Sequence, residues 1–244
     1  MNLQRKKGFY EKYIKRILDI VCSVCTIIVF CWLYVIIAIL VRIKLGSPVL
    51  FKQPRPGMID PQTGKENIFD MYKFRTMSDA RDDKGNLLPD EIRLNDFGKK
   101  LRATSLDELP EIFNILKGDM SVIGPRPQLI RDMVFMSEEQ RMRHTAKPGM
   151  SGLAQVRGRN AITWEEKIDW DLKYIEKISF LGDVKILFET VVTVLKRTGI
   201  TDGENATALD YGDALLKEKK ISRKKYDELQ TYARDLIAVY EKGK

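Results

Sequence analysis

The feature that most constrains this chain is a stretch of 22 residues without a charged side chain, from Ile20 to Val41. As an α-helix it would be roughly 33 Å long, which matches a bilayer hydrocarbon core of about 30 Å. No small-x-small cleavage site follows it, and it is too long for the apolar core of a signal peptide. A buried core helix is the alternative interpretation, and a run this apolar makes it the weaker one. The sequence therefore predicts a membrane-embedded helix.

Basic residues flank the stretch on both sides and constrain how it lies in the membrane. They are Arg5, Lys6, Lys7, Lys12, Lys15 and Arg16 before it, and Arg42, Lys44, Lys52 and Arg55 after it. A straight span would carry one basic cluster across the bilayer, against the positive-inside tendency. A helix that enters one leaflet and returns keeps both clusters at the cytoplasmic face, and Asp19 is easier to place at an interface than at depth. We therefore expect a re-entrant helix, although its middle, Cys31-Trp32, offers no Pro to bend it.

The composition points to anionic partners. The 244 residues carry a net charge of +8 and a sequence pI near 9.2, which suits acidic lipid, phosphorylated substrates or nucleic acid. Nucleic acid is the weakest of these, because no recognition helix or platform of aromatic and basic residues stands out. Cys22, Cys25 and Cys31 all lie in the apolar stretch, and His144 is the single His. A zinc site and a disulfide framework are therefore not expected.

Two adjacent carboxylates, Asp107 and Glu108, precede a short apolar segment that we expect to be a helix ending at Lys117-Gly118. Arg102 lies five residues before Asp107, and Arg126 lies in the rigid Gly-Pro-Arg-Pro loop that follows the segment. Guanidinium groups bind phosphate oxygens bidentately, while a carboxylate can hold a divalent metal or attack as a nucleophile. The cluster indicates chemistry on a phosphate.

The same residues have a structural interpretation. Ser105-x-x-Glu108 is the pattern of a capping box, and acidic residues in a first helical turn complement the helix dipole. Pro110 argues against it, because proline disfavours helical geometry at Leu109 and itself suits a first helical position. Both interpretations stay open at the level of the sequence.

Two strands and several helices are expected around this stretch. The segment 49–53 is predicted as a strand, 54–57 as a turn, and 68–77 as a second strand with Lys73 and Arg75 on one face. That face is either solvated or a further phosphate contact. Helices are expected over 128–143, 164–178 and 183–197, with a short strand ending at Val156. After a polar linker, Ala214–Lys219 and Ser222–Tyr240 are predicted to form a charged helical hairpin.

Six ordered motifs resemble the small monotopic phosphoglycosyl transferases of the bacterial sugar transferase family. They are Lys-Arg-Ile-Leu-Asp at 15–19, Tyr-Lys-Phe-Arg-Thr-Met at 72–77, Ser-Leu-Asp-Glu-Leu-Pro at 105–110, Gly-Pro-Arg-Pro at 124–127, Lys-Pro-Gly-Met-Ser-Gly-Leu-Ala-Gln-Val at 147–156, and Gly-Arg-Asn at 158–160. The resemblance covers residues 15–199. It departs at Cys31-Trp32, where the family usually breaks its membrane helix with Ser-Pro.

The resemblance implies transfer of a sugar-1-phosphate from a UDP-sugar to undecaprenyl phosphate with release of UMP. It places the nucleophile on Asp107, which would also contact Mg²⁺, and a supporting acid/base or metal role on Glu108. The implied substrate and phosphate contacts are Lys73, Arg75, Arg102, Arg126, Arg159 and Asp183. Lys15, Arg16, Asp19, Cys31 and Trp32 belong to the implied membrane anchor, on the cytoplasmic face of the bacterial cytoplasmic membrane.

The expected fold is α+β and mostly helical. It comprises a membrane helix in residues 1–46, a compact catalytic domain with amphipathic interfacial helices and a few short strands in 47–200, and a linker with the helical hairpin in 201–244. The resemblance favours an N-acetylated or diamino-type sugar over glucose or galactose. A membrane-tethered protein that binds anionic lipid without chemistry is the rival from another class. Whether the chain forms a homo-oligomer or joins other pathway enzymes is left open.

Overall fold

The uncharged stretch forms the middle of a single long helix, α1, from Lys15 to Leu45, preceded by a π-helical turn from Tyr10 to Ile14. The structure is a computed structural model that describes residues 5–158, 162–195 and 209–244. By length and composition this helix is apolar enough to cross a membrane. It runs through Cys31-Trp32 without interruption, so the re-entrant path stays a prediction.

One face of α1 packs on the rest of the chain, with its buried residues toward the two ends of the helix. Its buried residues recur every three to four positions or multiples of that spacing, which defines a single helical stripe: Lys15, Asp19, Ser23, Ile37, Val41 and Leu45. The opposite face exposes large apolar side chains, among them Ile28, Trp32, Val35, Ile39 and Ile43. An exposed apolar surface of this extent marks a partner or a membrane.

A two-stranded antiparallel ribbon lies next to the C-terminal half of α1. Strand β1, Leu50–Ile59, pairs with β2, Glu66–Phe74. The predicted turn at 54–57 is wrong, because β1 continues through Pro54 and Pro56. Prolines are tolerated in a strand that has a neighbour on one side only, since the missing N–H then faces away from the ladder.

Short elements follow and lead to the carboxylate pair. Helices α2, Asp90–Arg93, and α3, Asp96–Ala103, precede a 3-10 turn from Leu106 to Glu108. Helix α4, Glu111–Lys117, ends at Gly118, whose φ of +101° suits a glycine C-cap. Strand β3, Ser121–Ile123, then pairs in parallel with β4, Gly149–Ser151.

Two predictions between residues 128 and 156 are wrong. The expected helix over 128–143 consists of α5, Ile130–Met133, α6, Glu138–Arg141, and a 3-10 turn, Met142–Thr145. Ser137 interrupts it, because its backbone is extended and its hydroxyl accepts a hydrogen bond from the Gln140 amide. That bond caps a new helix, which begins at Glu138. The segment expected to end as a strand at Val156 is helix α7, Leu153–Arg157, which follows directly on β4.

Four further helices complete the described chain. Helices α8, Trp164–Glu176, and α9, Phe180–Leu195, lie close to the predicted positions, and Arg197 falls outside the described residues. The predicted C-terminal hairpin is confirmed as α10, Tyr211–Lys217, and α11, Arg223–Lys242. Ala233 of α11 is buried against Ile130 and Met133 of α5. The chain is mostly helical with short strands, as the sequence predicts.

Candidate active site

The carboxylate pair lies in the 3-10 turn just before α4. Asp107 is 8% exposed. Ser105 has a φ of 55° and its side chain caps nothing, so the capping-box interpretation is wrong. A left-handed conformation at a non-glycine residue is energetically costly and is often found at functional sites. Asp107 and Glu108 therefore lie in a strained 3-10 turn and not in the first turn of an α-helix.

Two cations bind the same oxygen of Glu108. Lys73 Nζ lies 2.8 Å from Oε1, and Arg126 Nη2 donates to Oε1 at 2.6 Å. Burial raises the pKa of Glu108, but Arg126 and Lys73 outweigh it and hold that pKa far below its usual range. The Glu108 carboxylate in turn raises the pKa of Arg126. Glu108 therefore stays ionised and fixes both cations beside Asp107.

Asp107 has a different electrostatic environment. Burial and the neighbouring charge of Glu108 raise its pKa to about 6, against the opposing effect of Lys73, Arg102 and Arg126. No hydrogen bond is among the main influences on the pKa of Asp107, which are burial and these neighbouring charges. Asp107 is therefore ionised at neutral pH and is a candidate for contact with a ligand.

A third carboxylate in this cluster escaped the sequence prediction. Glu111, in the first turn of α4, is 1% exposed, and its Oε1 lies 3.2 Å from Lys73 Nζ. Burial and the charge of Glu108 raise its pKa to about 7. A Glu after Pro110 at a helix start is typical of a residue that complements the helix dipole, so its sequence position gave no signal of a site.

The other predicted site residues are divided between this cluster and two other places. Arg102 lies at the cluster's exposed edge and donates to Thr76 Oγ1 at 3.0 Å. Arg75 instead donates to the carbonyls of Leu45 and Ser47 at the end of α1. Asp183 contacts Lys15, Tyr10 and Tyr174. Arg159 lies outside the described residues.

Three of the predicted anchor residues attach the start of α1 to the domain. Lys15 pairs with Asp183. Arg16 donates to the carbonyls of Ile115 and Leu116, at the end of α4. Asp19 Oδ1 accepts from Ser121 Oγ and from the Val122 amide, both at 2.9 Å. In contrast, Cys31 and Trp32 are exposed on the free face of α1.

Two arginines absent from the prediction hold the backbone of the Arg126 loop. Arg55 Nη1 donates to the Pro127 carbonyl at 3.0 Å, and Arg143 Nη2 donates to the Arg126 carbonyl at 2.7 Å. Gly124 starts the loop in close contact with β4, where a Cβ would lie 2.3 Å from the Lys147 carbonyl oxygen. The loop is therefore fixed on both sides of Arg126.

The donor set suits a magnesium ion shared with a substrate. The described residues contain no group of three His, Cys, Asp or Glu side chains placed to hold a metal. Mg²⁺ usually keeps waters and binds through one or two carboxylates together with substrate phosphates. The carboxyl group of Asp107, beside the cations that would face a substrate phosphate, fits that role.

A membrane-associated enzyme that works on phosphate groups is the class that this fold and this site define. Residues 10–197 match the family described as bacterial sugar transferase. The chain belongs to this family, and it is a transferase of the phosphoglycosyl type.

Several relatives share most of the chain. It is 46% identical over 199 residues to the uncharacterised sugar transferase EpsL of Bacillus subtilis, covering 80% of this chain and 94% of that protein. It is 34% identical to the undecaprenyl-phosphate galactose phosphotransferase of Salmonella typhimurium, over 78% of this chain and 42% of that protein. It is 37% identical to the UDP-N-acetylgalactosamine-undecaprenyl-phosphate N-acetylgalactosaminephosphotransferase of Aeromonas hydrophila, over 77% and 45%. The chain thus spans less than half the length of the last two.

Proposed function

We propose that this protein transfers a sugar-1-phosphate from a UDP-sugar to undecaprenyl phosphate, releases UMP, and so carries out the first membrane step of a glycan assembly pathway. The observation that carries the proposal is the pairing of a buried carboxylate, Asp107, with the cations Lys73 and Arg126 fixed on Glu108. The names of the Salmonella and Aeromonas relatives support the substrate class.

The reaction proceeds through a covalent intermediate on Asp107. A carboxylate oxygen of Asp107 attacks the β-phosphorus of the UDP-sugar, an acyl-phosphate bond forms, and the anhydride bond to UMP breaks. The lipid phosphate then attacks the same phosphorus and returns Asp107 to its free form. Two polyanions thus never have to approach each other directly. Each step exchanges one anhydride-like bond for another, so the protein's task is positioning and charge neutralisation.

The neighbouring side chains act on the diphosphate. Arg126 and Lys73 neutralise charge that develops on the phosphoryl oxygens, and Arg102 contacts a phosphate from the exposed edge. Glu108 keeps the first two cations in place and, because it stays ionised, supports metal binding and not proton transfer. Arg159 contributes a further phosphate contact.

Mg²⁺ is the ion we propose for this site, held by Asp107 together with the substrate's phosphates. When bound, it supplies charge neutralisation to the diphosphate. The argument for Mg²⁺ is the donor set alone, since carboxylate and phosphate oxygens are hard ligands.

The protein lies on one face of the cytoplasmic membrane, the cytoplasmic face, where the UDP-sugar is found. Support comes from α1, whose start contacts Asp183 and whose last carbonyl accepts from Arg75 of the same domain. Because both ends of α1 contact one domain, both belong on one side of the bilayer. The exposed apolar faces of α1 and of α9, with Leu181 and Phe188, then enter the near leaflet. The active site meets the lipid phosphate at headgroup level.

An N-acetylated or diamino-type sugar is the substrate we favour, with glucose or galactose as the alternative. The test incubates the purified protein with undecaprenyl phosphate, Mg²⁺ and each of a panel of UDP-sugars, and measures UMP. We expect turnover with an N-acetylated donor and its loss by orders of magnitude in Asp107→Asn. Turnover with UDP-glucose or UDP-galactose alone would support the alternative. Retained lipid binding with no UMP from any donor would instead indicate a non-catalytic binding protein.

A further inference from the structure

Arg143 is a fully buried cation that the proposed chemistry does not use directly. It lies in the 3-10 turn Met142–Thr145 and is 1% exposed. Its Nε donates to Asp171 Oδ2 at 2.9 Å, and its Nη2 donates both to that oxygen and to the Arg126 carbonyl. Asp171, in the middle of α8, is equally buried at 1%. One guanidinium thus joins α8 to the backbone of a residue in the active site.

The remaining nitrogen of Arg143 continues the network. Arg143 Nη1 lies 3.1 Å from His144 Nε2, and His144 Nδ1 lies 2.9 Å from Glu66 Oε1. A guanidinium only donates, so His144 Nε2 accepts and its proton is on Nδ1, where it is donated to Glu66. Burial lowers the pKa of His144, which keeps the ring neutral and this tautomer in place. Every nitrogen of the Arg143 guanidinium therefore has a partner.

Net stability does not explain such a buried ion pair. Removing two charges from water costs several kcal/mol per ion, and a packed apolar pair of the same volume is often equally stable. What an apolar pair cannot supply is a donor fixed at the Arg126 carbonyl. Arg143 donates to the Arg126 carbonyl and Arg55 donates to the Pro127 carbonyl, so the backbone of the loop has little conformational freedom. The Arg126 side chain is meanwhile about a third exposed and free to meet a substrate.

We propose that Asp171 and Arg143 are positioning residues for the transfer reaction: Asp171 orients Arg143, and Arg143 sets the Arg126 backbone so that its guanidinium meets both Glu108 and the donor's diphosphate. This inference rests on the proposed function. A displacement of the Arg126 guanidinium by up to about 1 Å would lower the reaction rate by up to about a hundredfold.

The test is a double-mutant cycle on the rate of UMP release from the UDP-sugar. Asp171→Asn is nearly isosteric and weakens the hold on Arg143. We expect it to lower kcat/KM for the donor by about ten- to a hundredfold. In a protein that already carries Arg126→Lys, we expect Asp171→Asn to lower kcat/KM for the donor by less than about threefold. The guanidinium that Asp171 helps to position is absent from that protein. Equal losses in both backgrounds, or no loss in the first, would overturn the inference.

Matched variants separate positioning from folding and from the reaction itself. Asp169→Asn makes the same change on the same helix at an exposed position, and we expect wild-type rates. Arg143→Lys keeps the buried charge, but a lysine cannot reach all the partners of Arg143. Should Asp171→Asn unfold, the double-mutant cycle is repeated with Arg143→Lys. Thermal melting of each variant reports folding. If the wild-type protein itself releases no UMP, the proposed function fails; if only the coupling is missing, the inference alone fails.

Discussion

At the residue scale, the ammonium group of Lys73 lies between two carboxylates with opposite pKa shifts. Glu108 is kept ionised, while the pKa of Glu111 is raised to about 7. The net charge around Lys73 therefore changes near neutral pH. Below about pH 7 Glu111 is neutral and Lys73 has one strong partner. Above it, a second negative charge appears in the proposed diphosphate site.

The pH dependence of donor binding follows from this arrangement. We expect KM for the UDP-sugar to rise several-fold as pH increases through about 7, because ionised Glu111 repels the diphosphate and competes for Lys73. Glu111→Gln stays neutral and should flatten the rise. Steady-state KM values between pH 6 and 9 measure it, with the exposed Glu138→Gln as control. A rise of the same size in Glu111→Gln would contradict the assignment.

The sequence was informative about residues that carry motifs and uninformative about those that act through the fold. Asp107, Glu108, Arg102 and Arg126 stand near one another in the chain, so proximity alone indicated a cluster. Lys73 was found through its motif. Arg143 and Asp171 meet only because α8 folds back on the 3-10 turn, and a lone Arg or Asp within an amphipathic pattern gives no sign of such a pair.

At the element scale, the long helices could be predicted and the short ones could not. Helices α8, α9 and α11 have three or more turns of apolar periodicity, which is enough to define a buried stripe. Helix α1 was predicted from the length of its uncharged stretch. Elements of three to five residues, such as α5, α6 and β4, are decided by tertiary contacts and local caps. The capping hydroxyl of Ser137 was a visible signal that the prediction of one helix over 128–143 ignored.

The packing of α1 on the domain makes a prediction about two adjacent isoleucines. Ile37 is 3% exposed and packs with Phe74 and Leu101, whereas Ile36 is 46% exposed. We expect Ile37→Ala to lower the free energy of unfolding in detergent by about 2–5 kcal/mol. Ile36→Ala should change it by about 0.5 kcal/mol or less. Chemical denaturation of both proteins measures the difference; equal effects would show that this face of α1 is not docked.

At the scale of the whole molecule, the contacts at the two ends of α1 support the proposed one-sided topology. Lys15 and Arg16 contact α9 and α4, and the Leu45 carbonyl accepts from Arg75, the residue after β2. The sequence predicted a one-sided arrangement from the two basic flanks. It expected a broken helix to achieve it, whereas the described helix is continuous and lies along the domain. Hydropathy alone reports length and not the path through the bilayer.

Thiol labelling in intact cells tests this topology. In a chain whose three native cysteines are replaced by Ala, we expect Gly8→Cys and Asp79→Cys to resist a membrane-impermeant reagent and to react after lysis. Both positions are exposed, one before α1 and one in the domain. Labelling of Gly8→Cys from outside, with Asp79→Cys protected, would show a spanning helix.

The claim on which the whole account depends is that Asp107 carries the sugar phosphate between the two substrates. Its most direct measurement is mass spectrometry of the intact protein and of its proteolytic peptides, after mixing the enzyme with its UDP-sugar and Mg²⁺ in the absence of lipid. We expect about one UMP released per enzyme, a mass gain equal to one sugar phosphate on the peptide that contains Asp107, and its loss when undecaprenyl phosphate is added. Asp107→Asn should show neither the gain nor the UMP. Full turnover by Asp107→Asn, or turnover by the wild type with no adduct on that peptide, would contradict it.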